Sequence, residues 1–184
     1  RKEVYSLRNA VLQLEEIEPL AIEMIEGACQ IGADKYLQGR GADQVWEPQA
    51  YCDWLAQLFP VTFEVSEFDQ DHLDAEEIEK IAIDKVSNTL KEKLARENQK
   101  VPIFLIQQGE SPTPAHNAVR NLMVRKIDQM WQEHLLHMDH LRSDVMLRAV
   151  GQRDPLMEFK QEAFQLFDEL SKNLRIEIAG SLFR

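Results

Sequence analysis

The residues best suited to chemistry are three histidines, His134, His137 and His140, with Glu133 and Asp139 beside them. Imidazoles and carboxylates at short spacing are the donor set of helical zinc sites and of metal-dependent hydrolases. Such a site takes histidines at i and i+4 with the acid between them, so that both rings reach one ion. Here the order is Glu-His-x-x-His, and the inverted H-x-x-E-H pattern fails because Met130 stands where the first histidine is required. Steps of three residues also turn successive rings about 300° round a helix, which fans them out. We therefore expect no metal site. His134 is expected on a packing seam, with His137 and His140 facing water or another domain.

Other chemistries fare no better. None of the seven glycines precedes a lysine, so the phosphate-cradling G-x-x-x-x-G-K-[ST] loop is missing from this sequence. There is no G-x-S-x-G, and neither Cys29 nor Cys52 has a histidine near it in sequence. We expect no catalytic residue and no cofactor within this chain, and no ATP turnover by it alone. The two cysteines form no C-x-x-C pair and read as small buried apolar residues of a reducing compartment.

The histidines sit on an element that is mechanical before it is chemical. Ile127, Trp131, His134, Met138, Leu141 and Val145 recur at spacings of three and four, which makes one helical seam. Trp131 on that seam is expected in the core. Gly151 suits the left-handed position after a last turn, Asp154 the N-cap of a following helix, and Pro155 its first turn. Phe159, Ala163, Leu166, Leu170 and Leu174 then repeat the pattern. A short connection between two such helices forces an antiparallel hairpin. Its first helix is expected from about Arg120 to Arg148, with a basic tip from Arg148 to Arg153. Arg142 and Arg148 have Asp139 and Asp144 within helical reach as ion-pair partners.

Upstream, helical spacing runs through residues 1–18, again from about Leu20 to Gln38, from Trp46 to Phe59, and from Ala75 to Asn98. Residues 61–65 alternate and read as a short strand or, more cheaply, an extended connector. Residues 61–79 hold eight acidic side chains and no lysine or arginine. That is either an acidic docking face or a solvated connector running into an acid-rich first turn, and the second needs no partner. Residues 101–106 are apolar but too short to span a membrane, and a Gly/Ser/Pro-rich stretch follows through Pro114. The fold expected is all-α, dominated by the long hairpin.

Bulk properties agree with an ordinary packed domain. Of 184 residues, 44% are hydrophobic and 29% charged, and the net charge of -11 argues against nucleic acid as a partner. Arg1 opens in mid-helix fashion and Arg184 directly follows an apolar turn, so we expect a piece of a longer protein.

Residues 127–164 closely resemble the C-terminal region of the SecA family, the motor ATPases of the bacterial preprotein translocase. The resemblance rests on Asp128, Trp131, Glu133, His134, Leu135, Met138, Asp139, Leu141, Arg142, Leu147, Arg148, Gln152, Asp154, Pro155, Glu158 and Glu162 in fixed register. Tyr5-x-x-Arg8-Asn9 looks like the end of that family's long scaffold helix. The resemblance implies that residues 1–18 and 119–184 are helical scaffold, 19–100 a small helical wing domain, and 101–118 a connector. It implies that the hairpin is a two-helix finger contacting the moving polypeptide through Arg148, Ala149, Val150, Gly151, Gln152 and Arg153. Trp131, His134, Arg142, Asp154 and Pro155 would serve scaffold or regulatory roles, including restraint of the resting ATPase. ATP and Mg would belong to the intact protein. Partners would be the SecYEG channel, the preprotein, other domains of the same chain and an anionic membrane surface. The place implied is cytoplasmic, peripheral to the inner membrane. The rival is a stand-alone helical adaptor that binds a protein through the acidic connector.

Overall fold

Helical periodicity dominates this sequence, and helices are what it forms. The computed structural model describes residues 1–39, 45–68, 73–100, 114–148 and 154–184, with Leu147 and Arg148 as backbone only. Among these lie seven helices and no named strand: α1 (Lys2–Gln13), α2 (Glu18–Tyr36), α3 (Pro48–Leu58), α4 (Val65–Phe68), α5 (Ala75–Gln99), α6 (Pro114–Arg148) and α7 (Pro155–Ser181).

The boundaries follow local chemistry. Pro19 and Pro48 occupy first turns, where a missing N–H costs nothing. Asp74 and Glu77 form a reciprocal capping box at α5: the Glu77 N–H donates to the Asp74 side chain and the Asp74 N–H to the Glu77 side chain. Gly39, at φ 147, takes a left-handed conformation after α2 that a side chain would resist. There Leu37 and Trp46 form one isolated antiparallel bridge. At α7, Asp154 Oδ1 accepts the Leu156 N–H at 3.0 Å. We predict that Asp154→Ala lowers stability by about 1 kcal/mol, the usual cost of losing such a cap, measured by thermal or denaturant unfolding.

Three boundaries differ from those expected. α1 stops at Gln13, and residues 14–17 form a break before α2. α6 begins at Pro114, inside the stretch read as connector, because the Ala115 N–H finds an outside acceptor in Asn98 Oδ1 of α5 at 3.2 Å. At 35 residues α6 is about 50 Å long. Residues 61–64 carry no regular structure, in keeping with the connector reading rather than the strand, but Val65–Phe68 forms one unexpected helical turn that buries Phe68 against Tyr51 and Phe63.

One buried cluster runs through all seven helices, from Val4 and Val11 of α1 to Ile178 and Ala179 of α7. α7 packs most extensively on α6 and then on α2; α2 also covers α5 and α3, and α1 lies along α6. Cys29 and Cys52 are buried free thiols, as expected. Desolvation pushes them up to about 12 and about 11. No described helix is long and apolar enough to cross a membrane.

Candidate functional site

The α6–α7 hairpin carries every candidate residue. Ile127, His134, Leu141 and Val145 are buried, while Trp131 and Met138 are half-buried. The seam is therefore where periodicity placed it. Lys126 Nζ reaches Glu177 Oε2 across the two helices at 3.1 Å. Leu141 and Val145 are buried but stand apart from the continuous core, so the hairpin carries its own seam outward. Among the described residues of this distal half, six large apolar side chains face out: Leu135, Leu136, Met146, Leu156, Met157 and Phe164.

Trp131 packs against the core but keeps one side open. It meets Tyr5 of α1 edge-on, with centroids 6.4 Å apart, and stacks on His134 at 5.3 Å. His134 in turn meets Phe167 of α7 edge-on at 6.0 Å. This aromatic row ties α1, α6 and α7 together at the hairpin's base. His137 and His140 are exposed, which is the fanning that three-residue spacing requires.

His134 is only 7% exposed, and burial, followed by the neighbouring His137, holds its pKa below the usual histidine value. Glu133 and His137 of α6 and Glu169 of α7 share its cleft with Asn173, and Tyr5 lies across Trp131. Below the ordinary pKa of 6.5 the unfolded chain takes up a proton there that the native chain refuses. The sign follows: His134 costs nothing above that value and removes stability as pH falls through it. We predict that His134→Gln flattens the loss of stability between neutral and mildly acidic pH, read by denaturant titrations at several pH values. An unchanged slope would contradict this.

Arg142 is exposed, and among the described residues it forms no ion pair with Asp139, contrary to expectation. Asp139 instead lends its carbonyl to Ser143 Oγ at 3.2 Å. Exposed pairs of this kind contribute little, so solvent competes well with them. Asp154 and Pro155 start α7 as cap and first turn. The tip residues Ala149, Val150, Gly151, Gln152 and Arg153, and the side chain of Arg148, lie outside the described residues.

A family model, the SecA Wing and Scaffold domain, matches residues 1–184. The chain belongs to the SecA family. Relatives carrying the name Protein translocase subunit SecA include one from Chlamydia pneumoniae, 33% identical over 192 residues, and one from Chlamydia trachomatis serovar L2, 35% identical over 192 residues. A third, from Chlamydia felis, is 33% identical over 185 residues. Each match covers 100% of this chain, which itself spans only 19% of the relatives' length.

In this SecA segment the anchorage of α1 on α6 went unread in the sequence. Arg8 Nε donates to Asp128 Oδ1 at 2.7 Å and Arg8 Nη2 to Asp128 Oδ2 at 3.1 Å, a two-point fork between residues 120 positions apart. Arg120 similarly reaches backbone carbonyls at the end of α1. Arg8 and Asp128 were visible only as motif letters. No local pattern announces a pair separated by the whole of α2 to α5.

Proposed function

We propose that this chain supplies scaffold, wing and two-helix finger to a SecA protein translocase subunit that couples ATP hydrolysis to export of unfolded preproteins through the SecYEG channel. In this reading residues 1–18 and 119–184 are scaffold, 19–100 wing and 101–118 connector, the first residues of α6 (114–118) running into that connector. ATP and Mg are held by parts of the intact protein beyond this chain. The intact protein works at the cytoplasmic face of the inner membrane, against an anionic lipid surface. Family membership supports the translocase, and one geometric observation carries the finger. The hairpin leaves the shared core on a seam of its own and turns apolar side chains outward along its distal half. An unfolded polypeptide offers apolar side chains and backbone but no fixed shape. A projecting apolar hairpin with a basic tip suits it better than a shaped pocket would.

Val150 is the tip residue of the finger in this reading, with Arg148, Ala149, Gly151, Gln152 and Arg153 around it. Placing a carboxylate there opposes an apolar contact. Val150→Asp in the intact protein is expected to impair preprotein transport while leaving the unfolding midpoint unchanged. Full transport by that variant would contradict a contact role for the tip.

A further inference from the structure

We propose that Arg120 is a positioning residue that closes the end of α1 and locks it to α6, so that force or restraint entering through α1 reaches the hairpin. The inference rests on the reading of this chain as part of a translocase. The last carbonyls of a helix have no partner within it, and that end carries partial negative charge. α1 has no basic side chain in its last turn. The cation comes from another helix. Arg120 donates from Nη1 to the Leu12 carbonyl at 3.3 Å, and from Nη2 to those of Leu14 at 2.5 Å and Glu15 at 3.4 Å. Its Nε is buried with no hydrogen-bond partner among the described residues, so this side chain gives up hydration to hold that end. One turn earlier on α6, His116 Nε2 lies 3.7 Å from the Glu18 carboxylate, at the first residue of α2.

The clamp is the third rung of a ladder. Tyr5 meets Trp131, and three residues further along α1 Arg8 meets Asp128, three residues back along α6. The Leu12 to Glu15 carbonyls meeting Arg120 continue that antiparallel register. Among the described residues α6 is the only helix against which α1 packs extensively. The first two rungs fix the middle of α1, and Arg120 fixes the end from which the chain breaks toward α2. Without it, the end of α1 can lift while the rest stays docked.

The test uses the intact protein with spin labels at Gln13 and Ser143, both exposed and roughly 35 Å apart along α6 by helical rise. A single narrow distance is expected for the parent and for R120K, which keeps the charge. R120A is expected to broaden it, with the lifted population up roughly tenfold, the equivalent of losing a charged hydrogen bond. R120A is also expected to move less preprotein per ATP hydrolysed, and R120K to recover it. Should R120A lose its helical signal, R120Q takes its place, and a parental distance distribution in R120Q overturns the clamp. So does a parental distribution in R120A with unchanged transport per ATP. A parent protein that transports nothing, together with a broadened R120A, overturns the translocase reading and leaves the clamp standing.

Discussion

Gly32→Ala is expected to lower the stability of this chain by about 2 kcal/mol, and its unfolding midpoint by roughly 4–8 °C. A β-carbon at Gly32 would lie 2.5 Å from Trp54 Cζ3, 2.6 Å from Trp54 Cε3 and 2.9 Å from Tyr51 Cε2. Neither ring has an easy retreat. Tyr51 is fully buried, donates its hydroxyl to the Cys29 carbonyl at 3.0 Å, and packs on Phe68. Trp54 stacks on Tyr51 at 6.2 Å, so moving one ring disturbs the other. Alanine gains about 1 kcal/mol over glycine in a helix, but overpacking costs about 1–3 kcal/mol, and striking two coupled rings puts it at the upper end, for a net loss of about 2 kcal/mol. Gly27, on the same helix, is the control. A β-carbon there would run into Arg175 Cδ, yet that is the stem of a flexible, half-exposed side chain. Gly27→Ala is therefore expected to be neutral or mildly stabilising. Denaturant unfolding of both variants checks the pair, and equal effects would contradict the assignment of Gly32 to a rigid contact.

The largest functional effect is expected from Asp128→Arg. A half-exposed ion pair ordinarily contributes little. This one is a two-point fork joining α1 to the helix on which it chiefly packs. Reversing the charge sets two guanidiniums face to face, which repels more than deletion would. Amide protons of α1 are expected to exchange roughly tenfold faster, as local opening becomes easier. The double variant R8D/D128R restores the pair with its charges exchanged and is expected to recover most of the protection. On the function proposed above, in which the hairpin would restrain the resting ATPase, the same release in the intact protein is expected to raise ATP turnover in the absence of preprotein. Unchanged α1 exchange in the single variant would contradict the anchor.

The hairpin was legible because its signals are local. Spacings of three and four placed Ile127, His134, Leu141 and Val145 inward, and Asp154-Pro155 announced the start of α7. The buried cysteines and the fan of histidines followed from composition and helical geometry alone. What escaped were features set by distant partners. The break after Gln13 is satisfied by Arg120, the start of α6 at Pro114 by Asn98, and the place of α1 by Asp128. The short helix at Val65 also escaped, because the preceding residues 61–65 alternate like a strand and only Phe68 packing on Tyr51 gives the turn a reason. Trp131 fell between the two cases: the seam was right, but the side chain is only half-buried.

Above all, we propose that this hairpin acts directly on a moving polypeptide. The most direct measurement places a photo-cross-linking residue at Val150 of the intact protein and irradiates it with a preprotein arrested in transit. Adducts to the preprotein are expected that depend on ATP and disappear once transport is complete. Adducts confined to the protein's own chain, with transport proceeding normally, would contradict it.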